Sequence, residues 1–271
     1  MTATGGPRDS ARAERTRQVL SVVGLALLVG VLVPPLGSWA RRYEFVQSIQ
    51  FCVLAYAVPA LLATGAPWKW LRLASGEPLG IGEDGAVSWS SPARFMDRYA
   101  LRASRRAGHT HIFTWGLVSL AVVIFWRASP VVDALVRHGW LVLIEALTLV
   151  ASATPVWLAI VESPPVRPST TRPFRIGVAA VSMWTIWIVA YLNGMSQVSW
   201  YSAFHHVPGG LSHVADQEFS AGVMWAISAA VFLPVVFWNL IHWLQSEEDP
   251  NDELGRLLRE SRIRGTHDAS A

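Results

Sequence analysis

The lysine and arginine residues of this chain are confined almost entirely to alternate polar segments. Six long apolar runs divide the 271 residues into seven polar segments. Of the 22 basic residues, 18 lie in the first, third, fifth and seventh segments, and only 4 lie in the others: Arg41, Arg42, Arg127 and Arg137. Because basic residues stay on the cytoplasmic side of an inner membrane, alternate segments are predicted to face alternate sides.

The composition is typical of a membrane protein. Hydrophobic residues make up 52% of the chain and charged residues 15%, whereas a soluble domain carries about 25% charged residues. The 14 tryptophans suit a protein with two membrane interfaces. Basic clusters are therefore interpreted as topology signals and contacts with lipid headgroups, and no nucleic acid partner is expected. The single cysteine, Cys52, excludes an internal disulfide and any Cys-rich metal motif.

These features predict an all-α fold, a polytopic transmembrane helix bundle with six spanning helices and both termini cytoplasmic. The predicted spans are 18–37, 45–64, 111–129, 139–161, 175–194 and 219–243. They form a transmembrane domain at 18–243, between a cytoplasmic N-terminal segment at 1–17 and a charged cytoplasmic tail at 244–271. The first run has no small-residue cleavage site of a signal peptide, so we expect it to be a retained helix.

Two of the connecting segments have a distinctive composition. The long cytoplasmic loop at 65–110 contains two basic amphipathic stretches, 65–74 and 92–106, which are interpreted as lipid anchors lying in the interface. A docking surface for a partner is the alternative interpretation of this loop. The segment 195–218 has no Lys or Arg and is rich in aromatic residues and histidines. It is predicted to form an ordered outer cap over the helix ends.

Strongly polar side chains at membrane depth are costly and often mark a function. The predicted topology places most of them in the outer half of the bundle, beneath the outer cap. This intramembrane polar cluster comprises Gln47, Gln50, Glu145, Asn193, Asp216 and Gln217. Hydrogen bonding between helices is an alternative explanation for the glutamines and for Asn193. Glu145 points more strongly to a function, because a carboxylate there must be protonated, paired or bound to a metal.

Three stretches of the chain carry a family resemblance. The first is Gln50, an apolar run to Pro59 and then LLATGAP at 61–67; the second is VVIFWRASPVVDAL at 122–135 followed by IEAL at 144–147; the third is ADQEFSAGVMW at 215–225. Together they resemble the CtaG-type cytochrome c oxidase assembly factors of bacteria, whose corresponding motifs are "HMxQH…PLLxLGxP", "W-H-x-P…D-A" with "L-E-H-L", and "ADQxxxGxxMW".

The histidines of those motifs, which are candidate metal ligands in the family, are missing from this chain. Their places are taken by Gln47, Phe51, Arg127, Val142 and Ala146. The resemblance therefore implies a divergent member that lacks most of the family histidines. Copper favours imidazole, thiolate and thioether ligands, and neither glutamine nor phenylalanine replaces them.

A copper site in the outer cap is a separate hypothesis. Its candidate ligands are two adjacent histidines, a third one seven residues further on, and two methionines near them in sequence: His205, His206, His213, Met195 and Met224. The spacing is not a specific motif. Surface or hydrogen-bonding roles are the alternative for histidines in an aromatic-rich loop.

The resemblance implies an integral protein of the bacterial inner membrane that assists the biogenesis of a respiratory oxidase, with cytochrome oxidase subunits as partners. Copper is the only cofactor that it suggests, and delivery of copper at the outer face is left open. The alternative is a degenerate relative without metal chemistry, retained as a structural or accessory subunit of a respiratory complex. A small transporter lined by Glu145 and the outer glutamines is a third hypothesis, which the apolar inner half disfavours. An enzyme is not expected, because no phosphate-binding loop, GxSxG or HExxH motif occurs.

Overall fold

The computed structural model describes residues 7–69, 71, 78–81, 87–89, 96, 108–161, 163, 170–205 and 208–247. The predicted helical fold class is confirmed. The helices are α1 (Pro7–Leu32), α2 (Leu36–Trp39), α3 (Glu44–Cys52), α4 (Val58–Gly65), α5 (Gly108–Arg127), α6 (Ser129–Arg137), α7 (Leu141–Ile160), α8 (Arg172–Met195) and α9 (His213–Glu247). One small antiparallel hairpin, β1 (Pro78–Ile81) with β2 (Val87–Trp89), lies within the long loop and was not predicted.

Within the described residues, five helical segments are long and apolar enough to cross a membrane. They are Arg12–Leu32, Glu44–Gly65, Leu141–Ile160, Arg172–Met195 and His213–Gln245. A bent pair, Ile112–Arg127 with Ser129–Arg137, gives a sixth crossing if it is counted as one span. The helix axis bends by 65° between its two parts. Each of the six predicted spans therefore corresponds to one of these elements. The second amphipathic stretch at 92–106 and the tail from 248 lie outside the described residues, apart from Met96.

The predicted bounds of the first and last helices were wrong, and two of the errors have a local cause. The first helix begins at Pro7 rather than at residue 18. The first helix ends at Leu32 rather than at residue 37, because Pro34 and Pro35 have no backbone N–H to continue the helical ladder. The last helix begins at His213 rather than at residue 219. Its start is capped by Ser212, whose hydroxyl oxygen accepts a hydrogen bond of 3.1 Å from the Ala215 N–H.

The second crossing is continuous, although a proline lies in its middle. Helices α3 and α4 are joined by a π-helical turn at Val53–Ala57. Pro59 has no N–H to donate and its ring crowds the preceding turn, and a wider turn accommodates both effects. The π-helical turn packs against α1, α7 and α9, so the irregular backbone lies inside the bundle and not against lipid.

The hydrophobic core holds the crossings together below the polar cluster. The ring of Trp157 on α7 stacks on Phe232 of α9 with 5.1 Å between centroids, and Tyr56 meets the same ring edge-on at 5.3 Å. Helix α9 packs along α8 and α3, while α1 packs along α4. The first residues of α3 and α9 lie at the same end of the bundle, where the Asp216 carboxylate bonds to the Glu44 N–H.

Gly65 allows α1 and α4 to approach closely. A Cβ atom added at Gly65 would lie 2.6 Å from the Ser21 nitrogen and 2.8 Å from the Arg17 carbonyl oxygen. Backbone atoms cannot rotate away, so we expect Gly65→Ala to lower the free energy of unfolding by about 1–3 kcal/mol. Unfolding in mixed micelles measures this. Gly116→Ala is the control, because its added Cβ would meet nothing within 4 Å; equal stability of both variants would contradict the close contact.

Candidate functional site

The break between α5 and α6 brings Arg127 into the bundle. Pro130 has no backbone N–H to continue the hydrogen-bond ladder of α5, and Ala128 is extended, with ψ at 133°. Helix α5 therefore ends at Arg127, and α6 leaves at a sharp angle. A positive charge in the last turn is favoured by the helix dipole. The Arg127 side chain is only 4% exposed, so this break places a guanidinium group inside the protein.

Side chains of the second crossing accept some of the hydrogen bonds that the Arg127 guanidinium group can donate. Its Nη1 atom donates to Gln47 Oε1 at 2.7 Å and to Ser48 Oγ at 3.2 Å. Its central carbon lies 5.4 Å from the ring centroid of Phe51 and 5.1 Å from that of Tyr201, within the range of cation–π attraction. Nε and Nη2 have no hydrogen-bond partner. In the part of the chain that the structure describes, the guanidinium group is thus contacted by amide, hydroxyl and aromatic groups.

Glu145 is the complementary group in this region. It is fully buried, and neither of its carboxyl oxygens has a hydrogen-bond partner. Arg127 is the positive charge that acts on it. We therefore expect the two groups to be electrostatically coupled, so that the loss of either one leaves the other buried without a compensating charge.

Glu44 is a second buried acid in this cluster. It was not among the members predicted from the sequence. It is 1% exposed, and its Oε1 atom accepts a hydrogen bond of 3.2 Å from Asn193 Nδ2. The hydroxyl groups of Ser48 and Ser220 are 2.6 Å apart on the same side. Glu44 lies one residue before the predicted second span, so it was counted with the loop. Its position one turn before Gln47 and Ser48 could have indicated a shared helix face.

Asp216 completes the N-terminus of α3 from a different helix. Its two carboxylate oxygens accept the backbone N–H groups of Glu44 at 2.8 Å and Phe45 at 3.1 Å. The residue before α3, Tyr43, provides no side-chain cap, and the first N–H groups of any helix lack partners within it. Asp216 is itself fully buried. It therefore satisfies the start of the second crossing and joins that crossing to α9.

Gln217 and Gln50 also form hydrogen bonds with backbone groups at helix ends. The Gln217 amide nitrogen donates to the carbonyls of Asn193 at 2.8 Å and Ser196 at 2.9 Å, and its oxygen accepts from the Trp200 N–H. Gln50 Nε2 donates to the Val31 carbonyl at 2.5 Å. In a continuing helix that carbonyl would pair with the N–H of residue 35, which is a proline. Both glutamines thus bond to backbone at a helix end.

The outer cap is attached to α6 by Asp133 and to Arg127 by Tyr201. The Asp133 carboxylate accepts from the Ser202 hydroxyl at 2.6 Å and the Ala203 N–H at 2.9 Å. The Tyr201 hydroxyl donates to the Arg127 carbonyl at 3.2 Å. Burial raises the pKa of the Tyr201 phenol, the Arg127 guanidinium opposes that shift, and Glu44 reinforces it. The phenol is therefore neutral near neutral pH and acts as a donor.

This raised pKa predicts an alkaline weakening of the fold that depends on Tyr201. The neutral phenol contributes its stability below the unfolded-state pKa of about 10, and this contribution is lost as the pH rises through the higher folded-state pKa. We expect Tyr201→Phe to cost about 1 kcal/mol near pH 8, the value of one hydrogen bond. The difference from wild type should shrink above about pH 10. Thermal midpoints of wild type and Tyr201→Phe, taken from about pH 8 to well above about pH 10, measure it, and a constant difference over that whole range would contradict the prediction.

The candidate copper ligands are only partly brought together. The rings of His205 and His213 are neighbours, with 6.2 Å between centroids. His206 lies outside the described residues. Met195 is 60% exposed at the end of α8, whereas Met224 is fully buried in the hydrophobic core. Among the residues that the structure describes, no group of three His, Cys, Asp or Glu side chains could hold a metal ion.

One family model covers most of the chain. The model of the cytochrome c oxidase caa3 assembly factor family matches residues 3–246. The chain belongs to this family. The match confirms the resemblance inferred from the three motifs and extends it to both sides of 18–243. No curated protein and no solved structure matched the chain.

The three assembly factor motifs meet in space around Arg127. The first contributes the second crossing, in which Gln50 and Pro59 lie; the second contributes Arg127 and Asp133; the third contributes Asp216. Contacts between motif residues that are distant in sequence are short, as in the hydroxyl groups of Ser48 and Ser220, which are 2.6 Å apart across 172 positions. In this family member, the motif region is an arginine-centred polar cluster joined to the outer cap.

Proposed function

We propose that this assembly factor promotes the biogenesis of a respiratory oxidase in the bacterial inner membrane by docking on oxidase subunits, and that its bundle holds no metal. The buried Arg127 guanidinium group supports the second part of this proposal, that the bundle holds no metal. A buried guanidinium group repels a metal cation in a medium of low dielectric constant. The described groups that contact the Arg127 guanidinium are an amide, a hydroxyl and two aromatic rings, which suit copper poorly.

The outer cap is the proposed docking surface. Hydrogen bonds to Asp133 and Gln217 fix its backbone to two different helices. Beside these anchors, apolar side chains are exposed: Met195 at 60% and Val198 at 74%. Apolar side chains presented on a fixed backbone support binding to a partner protein. The proposed partner surface is that of an oxidase subunit at the same membrane face.

Complementation tests this proposal. A strain that lacks the chain is expected to lose assembled, active oxidase, and wild type is expected to restore it. Met195→Asp/Val198→Asp should restore much less, because two charges oppose an apolar contact. Ala13→Asp/Thr16→Asp is the matched control at exposed positions of α1 and should restore fully. Normal oxidase levels without the chain would refute the proposed function.

The adjacency of His205 and His213 favours a second candidate function, in which copper passes over the outer cap during oxidase maturation. Loading the purified protein with Cu(I), followed by dialysis and metal analysis, tests it. Retained copper that is lost in His205→Ala/His206→Ala/His213→Ala, but kept in His138→Ala, would support this function. His138 is exposed and lies outside the cap. Wild type that retains no copper would exclude it and leave docking alone.

The uneven distribution of arginines also supports an orientation, with both termini cytoplasmic and the outer cap outside. A reporter fused after Gly209, in an exposed turn of the outer cap, is expected to read as outside. Activity of a reporter that works only outside, compared with one that works only in the cytoplasm, measures this. A cytoplasmic signal from that site would overturn the orientation and the proposed docking face.

A further inference from the structure

A basic cavity lies at the end of the bundle opposite the Arg127 cluster. It has a volume of about 410 Å³ and lies where α4 and α7 end and α8 begins, with α1 and α9 completing its walls. Because α3 starts in the Arg127 cluster and α4 ends at this cavity, the two sites are separated by the full length of the second crossing. The cavity shares no residue with the proposed docking surface, and its role does not depend on the proposed function.

Three guanidinium groups line this cavity. Arg17 comes from α1, and Arg172 and Arg175 come from the first turn of α8. Arg175 is only 8% exposed, and its Nε donates to the Thr170 carbonyl at 3.0 Å. No carboxylate belongs to the lining that the structure describes. Guanidinium groups from two helices that line one cavity suit a phosphate or carboxylate ligand.

The remaining wall is mostly apolar, although Thr64 and Asn239 also contribute to it. Ile160 and Val235 line it, together with Trp238, whose side chain is 64% exposed. An indole at this level is typical of the membrane interface. The cavity therefore combines a cationic site with an apolar wall. Basic pockets between transmembrane helices bind anionic lipid headgroups in this way.

We propose that this cavity binds a phosphate group through Arg17 and Arg172, and that the phosphate belongs to an anionic phospholipid of the adjoining leaflet. The headgroup phosphate meets the guanidinium groups, and the first part of an acyl chain lies against Val235 and Trp238. Free inorganic phosphate shares the first of these interactions but not the second. The ligand would tie α1, α8 and α9 together at one end of the bundle.

Thermal unfolding of the purified full chain in neutral detergent tests this. Phosphatidylglycerol is expected to raise the wild-type midpoint at concentrations at which phosphatidylcholine has no effect. Arg17→Gln/Arg172→Gln should need at least about tenfold more phosphatidylglycerol for the same rise in the midpoint, because two charge-assisted contacts are lost. Arg12→Gln/Arg15→Gln is the matched control, since it removes the same charge from exposed positions of α1 outside the cavity. It should respond like wild type.

Three other outcomes would overturn all or part of this proposal. An equal loss in both double variants would overturn the site in favour of general attraction to a basic surface, and no response of wild type would overturn it outright. A rise with inorganic phosphate but none with phosphatidylglycerol would overturn the lipid assignment. If the glutamine variant does not fold, Arg17→Lys/Arg172→Lys keeps the charge and should bind phosphatidylglycerol more weakly than wild type. Binding of the lysine variant as tight as wild type would then contradict guanidinium recognition.

Discussion

Replacing Arg127 with methionine is expected to lower the free energy of unfolding by about 3–5 kcal/mol, the cost of breaking a buried charged interaction by removing one partner. Gln47 Oε1 would lose its donor at 2.7 Å, and Glu145 would lose the positive charge that acts on it. Reversible unfolding in mixed micelles measures the loss. Arg137→Met is the control, because Arg137 is exposed on α6, and we expect it to stay within about 0.5 kcal/mol of wild type.

The same substitution also tests the coupling between Arg127 and Glu145. In Arg127→Met/Glu145→Gln the Glu145 carboxyl group is removed together with the positive charge that acts on it. The double variant is therefore expected to be more stable than the sum of the two single losses predicts, by about 0.5–3 kcal/mol. Full additivity would mean that the two groups do not act on each other. The Arg127 cluster would then be a set of separate hydrogen bonds rather than one electrostatic unit.

Replacing Asp216 with alanine is expected to cost about 2–4 kcal/mol, because the N–H groups of Glu44 and Phe45 would be left buried without an acceptor. Asp216→Asn keeps one acceptor oxygen and should lose roughly half as much. Both values come from the same unfolding measurement. Glu218→Ala removes an exposed acid from the same turn of α9 and should be nearly neutral.

Amide hydrogen exchange locates the effect of the Asp216 substitution. In Asp216→Ala the amides of Glu44 and Phe45 should exchange faster, since they lose their hydrogen-bond acceptors. Amides in the middle of α7 should change only with global stability. Unchanged exchange at Glu44 and Phe45, together with wild-type stability, would show that Asp216 does not complete the N-terminus of α3.

The helical crossings were predictable because lipid imposes a simple constraint on sequence. A crossing needs a long apolar run, and charge asymmetry separates one run from the next. Two of the wrong boundaries arose where a short-range signal overrode hydropathy: Pro34 and Pro35 after α1, and Ser212 before α9. The π-helical turn before Pro59 lies inside an uninterrupted apolar run, so hydropathy alone could not reveal it.

The geometry of the candidate site was less predictable than its location. Topology indicated that Gln47, Glu145 and Asp216 lie in the same half of the bundle. It could not show that Asp216 bonds to the start of α3, because that contact joins residues 172 positions apart. Arg127 was recognised only as a basic residue in a poorly basic segment and as a departure from the family motif. Its entry into the bundle depends on the 65° angle between α5 and α6, which no local pattern specifies.

These contacts give the motif residues of this assembly factor a physical role. Asp216, Gln217 and Gln50 satisfy backbone at helix ends, Asp133 fixes the outer cap, and Arg127 provides the positive charge at the centre. On this account the motif region builds a rigid docking end. A metal-holding role in the bundle is not required for it.

Co-purification after a short pulse of isotope label tests the central claim most directly. The tagged chain, recovered from native membranes, is expected to carry newly synthesised oxidase subunits, and their amount should fall during the chase as active oxidase appears. Recovery of mature, active oxidase in a stable one-to-one ratio would contradict an assembly role and would make the chain an accessory subunit. Absence of labelled oxidase subunits at every time point would contradict docking itself.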